Sequence, residues 1–357
     1  MTVPRHLDQV RDRRIEQTLP LAAPETLFEE LPLTARATEV VLAGRSQTGD
    51  ILDRADDRLL VVVGPCSVHD VEAAREYAER LAGRAEALND DLCVVMRVYF
   101  EKPRTTTGWK GMINDPHLDG SGDVNTGLRM ARALLLEVLG LGLPVGCEWL
   151  DPITPQYISD AVSWGAIGAR TTESQTHRQL GSGLSMPVGF KNRTDGNVQV
   201  AVDAVRAAAV PHAFAGVDVS GRPAILYTRG NSDCHVILRG GRDAPNHPTP
   251  AVAGALGQLR AAGLPERLVI DASHDNSGKD HERQPLVAAD VAGQVAGGER
   301  AVVGLMLESF LVAGRQELDG PGPLTYGQSI TDACMDWETT SEVLGGLAEA
   351  VRARRAG

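Results

Sequence analysis

LLVVVGPC (59–66) is a run of aliphatic residues closed by glycine, proline and cysteine, and seven similar runs follow along the chain. They read CVVMRVYFEK (93–102), LPVGCE (143–148), AIGAR (166–170), MPVGFK (186–191), CHVILR (234–239), RLVIDASH (267–274) and AVVGLMLE (301–308). Short apolar runs of this kind, bounded by turn residues, read as strands buried on both faces. Nearly every run ends in a residue fit for chemistry: Cys66, Arg97 with Lys102, Glu148, Arg170, Lys191, Arg239, His274 and Glu308. Charged side chains are almost never buried without partners, so this ordered set does not read as core packing. Parallel strands with reactive residues at their C-terminal ends predict an α/β protein, specifically a (β/α)8 barrel with its active site on that face.

The stretches between the runs support that reading. Helical apolar spacing appears in VEAAREYAERLAGRAEAL, TGLRMARALLLEVLGL, TPQYISDAVSWG, ESQTHRQLGSGL, NVQVAVDAVRAAA, PAVAGALGQLRAAG, PLVAADVAGQVAGG and SEVLGGLAEAVRARR. Strands alternating with helices imply parallel pairing through right-handed crossovers. A doubly wound open sheet is the rival, but no GxGxxG follows the first strand and no Walker A lysine motif occurs. Residues 1–45 carry several prolines and two candidate short helices without a barrel-type strand, and are read as an N-terminal extension for regulation or assembly. Residues 46–357 form the catalytic barrel. AFAGVDVSGRPAILYTRGN interrupts the rhythm with two alternating strands around Ser220-Gly221, an inserted β-hairpin at about 212–230.

Composition narrows the function. The chain has 357 residues with 43% hydrophobic, which suits one large barrel with extensions and excludes global disorder. A net charge of −12 argues against a nucleic-acid partner, which calls for a basic face. No run approaches the ~20 apolar residues of a membrane span, and the first residues lack the apolar core of a secretory signal. The five cysteines are odd in number and far apart, which points to a reducing cytoplasm. Cys93, Cys147 and Cys234 lie in strand-like runs and read as small buried thiols.

Two constellations remain. Cys66, His274 and Glu308 end the first, seventh and eighth strands, which are neighbours once a barrel closes, and Asp332 follows the eighth. Thiolate, imidazole and carboxylates suit a divalent transition metal. A lone strand histidine also reads as an ordinary core residue, so spacing alone leaves both readings open. Arg97, Lys102, Arg104, Arg170, Lys191 and Arg239 would converge on the same face. Such cations share one cavity only when anions fill it, whereas solvated surface charge has no reason to follow barrel topology. Glu148 among them reads either as a counter-ion or as a group that positions water. In KPRTTTGWKG, Pro103 stiffens the loop and Arg104-Thr105-Thr106 resembles a phosphate cradle.

GPCSVHD, RVYFEKPRTTTGWKGMINDPHLDGS, ITPQYISDAVSWGAIGARTTESQTHRQL, PVGFKNRTDG, DCHVILRGG, SHDNSGK and YGQSITDACMDWE closely resemble the type I 3-deoxy-D-arabino-heptulosonate 7-phosphate (DAHP) synthases, in the microbial subclass with an N-terminal regulatory extension. The likeness runs from about residue 14 to the C-terminus. It implies the first step of the shikimate pathway: phosphoenolpyruvate and erythrose 4-phosphate condense with water to DAHP and phosphate. It further implies one divalent transition metal per subunit, Mn, Fe, Co or Zn, on Cys66, His274, Glu308 and Asp332. Arg97, Lys102 and Lys191 would take the phosphoenolpyruvate carboxylate, and Arg170 and Arg239 its phosphate. Arg104, Thr105 and Asp332 would take erythrose 4-phosphate. Glu148 would orient the attacking water, with Lys102, Glu148 and His274 as the catalytic set.

The resemblance also implies a homodimer or homotetramer and feedback inhibition by an aromatic amino acid. Its cavity would involve Asp12, Pro152, Gln156, Ser185, Phe214, Gly216 and Leu226, completed by an N-terminal segment of a neighbouring subunit. Proline at 152 and glycine at 216 stand where phenylalanine-inhibited relatives tend to carry bulkier residues, which favours tyrosine as effector, with phenylalanine second. The related synthase for arabinose 5-phosphate typically reads Lys-Ala-Asn-Arg in its phosphate loop, where this chain has Lys102-Pro103-Arg104-Thr105. A metal-dependent aldolase of another class and a barrel kept only for binding are weaker rivals.

Overall fold

The computed structural model describes residues 10–104, 106–318 and 322–357. The first ten strands in chain order are β1 (Leu59–Gly64), β2 (Leu92–Arg97), β3 (Val145–Glu148), β4 (Trp164–Ile167), β5 (Val188–Lys191), β6 (Ala213–Val217), β7 (Pro223–Tyr227), β8 (His235–Leu238), β9 (Leu268–Asp271) and β10 (Val302–Glu308). Eight of them close a barrel in the order β1-β10-β9-β8-β5-β4-β3-β2, and every pair in it is parallel. This is the expected (β/α)8 fold. The ring closes where Gly64 of β1 pairs with Glu308 of β10, so the ends of the first and eighth strands meet.

The continuous apolar runs have a simple cause. Successive side chains of a strand point to opposite faces, and here both faces are covered. Leu60, Val62, Val95, Trp164, Ile237, Val269 and Met306 pack together inside the barrel. Leu59, Val61, Val63, Val94 and Met96 belong to the larger cluster under the helices. Ile51 and Leu52 join the inner cluster, so the helix that carries them reaches the barrel interior.

The helices are α1 (Pro24–Glu30), α2 (Ala35–Leu52), α3 (Val71–Ala87), α4 (Val124–Gly140), α5 (Pro155–Ile158), α6 (Gln175–Gly181), α7 (Gln199–Ala208), α8 (Thr249–Ala261), α9 (Gln284–Ala296) and α10 (Trp337–Ala356). Asp70, Asp123 and Asp336 cap α3, α4 and α10 by accepting from backbone N–H groups three residues on. One expected helix shrinks: TPQYISDAVSWG gives only the single turn of α5 and a 3-10 turn at Ser159–Ala161 before Val162 turns extended. α2 runs without a break across position 45. The segment before it is tied to the barrel flank by Arg132, which is buried, pairs with Asp160 at 2.7 Å, donates to the Leu31 carbonyl at 2.8 Å and stacks over Phe28.

β6 and β7 form the predicted hairpin, antiparallel, with Phe214 opposite Leu226 and a turn in which Gly221 adopts φ +74°. Its outer face is apolar and exposed, with Ile225 and Tyr227 at 65% and 80%. No helix among the described residues is long and apolar enough to cross a membrane.

Candidate active site

The ends of the barrel strands surround a cavity of about 130 Å³. Glu148, Arg170, Lys191, Arg239 and His274 reach it from β3, β4, β5, β8 and β9, and Lys102, Arg104 and Asp332 from the loops after β2 and β10. A larger cavity of about 510 Å³ lies between α2, α3 and the start of β2, and holds none of these residues.

Cys66, Glu308 and Asp332 bring three ligand atoms within 4.8 Å of one another. Glu308 Oε1 accepts from Arg97 Nη2 at 2.8 Å, while Oε2 is buried with no hydrogen-bond partner. A buried carboxylate oxygen without a donor is costly unless a cation completes it. Burial, then the charge of Glu308, push the Cys66 thiol above its ordinary range, although Lys102 opposes this. A metal ion reverses that balance, because coordination deprotonates a thiol outright. This donor set therefore fits the implied metal.

His274 stands slightly apart from those three. Its Nε2 is 4.0 Å from Glu308 Oε1, and its Nδ1 meets Asp271 Oδ2 at 2.8 Å. A ligand histidine is usually oriented in this way by a carboxylate on its other nitrogen. Asp271 is fully buried and also accepts from Lys191 Nζ at 2.8 Å. Burial alone would raise its pKa, but His274 and Lys191 outweigh burial and hold the carboxyl well below the usual range. One buried anion thus fixes two residues expected from the sequence.

The cations fall into two groups. Arg97 is buried and does not line the cavity. It donates to the Pro65 and Cys66 carbonyls and to Glu308, and only Nη1, against the Met306 sulfur, meets no oxygen. Lys102 donates to the Cys66 sulfur at 3.1 Å. Burial disfavours its charge, yet Cys66 and Glu308 keep the ammonium above its ordinary pKa. Arg239 is buried against Asp275, with its Nε unpartnered. Arg170 and Arg104 are exposed at the rim.

Arg104 sits on a pinned loop. Lys102 N–H donates to the Lys110 carbonyl at 2.9 Å, and Arg104 Nε to the Trp109 carbonyl at 2.8 Å. Gly111 makes this possible: its φ is +113°, and a Cβ there would lie 2.1 Å from the Phe100 oxygen. Thr105 lies outside the described residues. Behind the loop, burial and then Asp151 lift the Glu101 carboxyl to about 8, so it is neutral at pH 7 beside Lys102.

Glu148 is seated by a glycine. A Cβ at Gly168 would stand 2.2 Å from Glu148 Oε1. We expect Gly168→Ala to leave the barrel folded, since the obstacle is the far end of a flexible side chain, but to displace the carboxylate. Catalytic groups moved by about 1 Å lose on the order of 10²-fold in rate. Steady-state kinetics beside a melting curve checks this; unchanged kcat would show that Glu148 needs no such seat.

The residues expected for an effector lie elsewhere. Gln156, Ser185, Phe214 and Leu226 line a cavity of about 460 Å³ between α5, α6 and the hairpin. Gly216 adjoins it behind Leu226, and a Cβ there would stand 4.0 Å from the Pro152 carbonyl oxygen, whereas Asp12 is exposed and paired with Arg11. Of the residues that sequence reasoning passed over, Asp271 had a signal, three positions before His274 in the same strand end. Lys279, Thr194 and Thr331 also line the active-site cavity, and Cys334 accepts from the Cys66 N–H at 3.4 Å. Nothing in their local sequence marks them as site residues.

Comparison with known proteins identifies the family. Residues 33–345 match the model of the DAHP synthetase I family. The chain is 56% identical over 348 residues, 98% of each protein, to the Phe-sensitive phospho-2-dehydro-3-deoxyheptonate aldolase of Escherichia coli K12. It is 52% identical over 338 residues to the Tyr-sensitive one of the same organism, covering 94% of this chain and 95% of that protein. A solved structure of phospho-2-dehydro-3-deoxyheptonate aldolase from Francisella tularensis SCHU S4 superposes with a TM-score of 0.94 at 50% identity, covering 96% of this chain and 99% of that one.

Proposed function

The chain belongs to the DAHP synthetase I family, and from that premise we propose how its barrel mouth performs the family's reaction. It condenses phosphoenolpyruvate with D-erythrose 4-phosphate and water, giving DAHP and phosphate, the first step of the shikimate pathway. The observation that carries the assignment of residues is that Asp332 belongs both to the cation-lined cavity, which His274 also lines, and to the cluster of metal-type donors with Cys66 and Glu308.

Phosphoenolpyruvate lies deepest. Its carboxylate takes Lys102, Lys191 and Arg97 Nη1, which otherwise meets only the Met306 sulfur, and its phosphate takes Arg239 and Arg170. Erythrose 4-phosphate follows, with its phosphate toward Arg104 and Thr105 and its aldehyde end toward Asp332. Cys66, Glu308 and Asp332, with His274 facing Glu308, would hold one divalent ion of the Mn, Fe, Co or Zn class, which when bound would supply Lewis-acid polarisation of the aldehyde oxygen. C3 of phosphoenolpyruvate bonds to the aldehyde carbon. Glu148 orients the water that adds to C2, and the C2–phosphate oxygen bond then breaks to release phosphate. Holding both substrates in register is worth up to ~7–11 kcal/mol.

Regulation and assembly follow the same premise. The 460 Å³ cavity suits an aromatic amino acid, with Phe214 against its ring. Gly216 lets Leu226 pack directly on the hairpin, since even a Cβ there would approach Leu226 Cδ1 to 2.7 Å. Tyrosine is the effector we favour over phenylalanine, on the small residues Pro152 and Gly216 alone. The exposed apolar face of the hairpin supports a homodimer or homotetramer. Five free, buried cysteines support a cytoplasmic setting.

Phosphate release tests the reading directly. With Mn²⁺, phosphoenolpyruvate and erythrose 4-phosphate, phosphate should appear in step with aldose consumed, and arabinose 5-phosphate should be a far poorer partner. Millimolar tyrosine should inhibit more than phenylalanine. Equal use of the two sugars would overturn the substrate assignment, and stronger inhibition by phenylalanine would overturn the effector.

A further inference from the structure

We propose that Lys279 is a further substrate-binding residue, which joins Arg104 in taking the phosphate of the aldose phosphate at the rim of the barrel mouth. The inference rests on the assignment of the two substrates made above.

Three observations carry it. Lys279 lines the same 130 Å³ cavity as Arg104, Arg170 and Asp332. Its ammonium has no carboxylate within 4 Å among the described residues, whereas the deep cations Arg97, Lys191 and Arg239 each have one. Its backbone is the third. The chain folds back straight after His274, with Ser277 N–H and Lys279 N–H both donating to the His274 carbonyl at 3.1 and 2.8 Å. The turn leaves Lys279 at φ +61°, directly after Gly278 at +67°. Glycine enters that region freely, and a residue with a side chain rarely does. A long charged side chain at a strained position beside a cavity is better explained by a ligand than by solvent.

The choice of ligand follows from position. Arg239 and Arg170 reach the cavity from β8 and β4 and suffice for the first substrate's phosphate. Lys279 comes from the turn after β9 and lines the same cavity as Arg104 and Asp332. Arg104 already spends its Nε on the Trp109 carbonyl. The second phosphate therefore has an open side, and a point charge on a flexible stem is suited to it.

Lys279→Met should raise KM for erythrose 4-phosphate roughly tenfold, the loss expected for one charge-assisted hydrogen bond, with kcat and KM for phosphoenolpyruvate within about twofold. Lys279→Arg should recover most of the affinity. Lys279→Gly, which relieves the backbone, should be as impaired as the methionine variant. With unphosphorylated erythrose the wild type and Lys279→Met should turn over alike. A normal KM in Lys279→Gly would assign the effect to backbone strain, and a rise only in KM for phosphoenolpyruvate would assign Lys279 to the other substrate; either overturns the proposal. If the wild type released no phosphate, the reaction itself would be misassigned. An active wild type with an unchanged Lys279→Met sinks only this inference.

Discussion

Replacing Cys66 by alanine is expected to abolish turnover and the bound divalent ion together. Its sulfur belongs to the set of three donor atoms within 4.8 Å, and Glu308 Oε2 has no other partner to satisfy it. Loss of a direct ligand should exceed the roughly 10–100-fold drop in metal affinity that follows removal of a group hydrogen-bonded to a ligand. Asp271→Asn supplies that milder case, because Asp271 holds His274 Nδ1 from behind. Chelation of the wild type should remove activity, and a divalent transition ion should restore it. Metal content of the purified variants gives a readout independent of catalysis. Full turnover of Cys66→Ala in excess chelator would remove the metal from the account.

The second large effect concerns the anion clamp. Arg239→Ala and Arg170→Ala are expected to lower kcat/KM for phosphoenolpyruvate by about 10²-fold or more, corresponding to loss of ~2.7 kcal/mol or more of charge-assisted binding. Arg104→Ala should instead raise KM for erythrose 4-phosphate. The two phosphoenolpyruvate variants should differ in stability. Arg239 is buried against Asp275, and stripping one partner from a buried ion pair leaves an uncompensated charge. Arg170 is exposed, so its loss should leave the melting temperature near that of the wild type. Equal shifts in the same KM from Arg170→Ala and Arg104→Ala would show that one anion, not two, occupies the mouth.

Much of the site was legible because barrel geometry is a rule about order along the chain. A residue at the C-terminal end of a strand must face the mouth, so Glu148, Lys191, Arg239, His274 and Glu308 could be collected from eight apolar runs alone. The runs lack an alternating pattern for the same reason: Leu60 and Val62 face the interior while Val61 and Val63 face the helices, and both sides are dry. Arg97 shows the limit of such reading. It ends β2 as expected, yet burial against Glu308 and two backbone carbonyls makes it a brace for the metal-type donors as well as a candidate for substrate.

By itself, then, the sequence determined the eight barrel strands, their parallel pairing, the inserted hairpin and the chemical character of the mouth, since periodicity and strand-end position are local properties. The tertiary structure alone decided which groups support one another. Asp271 meeting Lys191, Gly168 lying beneath Glu148, Cys334 meeting Cys66 and Lys279 turning over the cavity all join residues that only barrel closure or a loop's fold brings close. Such pairings depend on distances of a few ångströms between segments far apart in the chain, and no spacing rule along a single strand or helix encodes them.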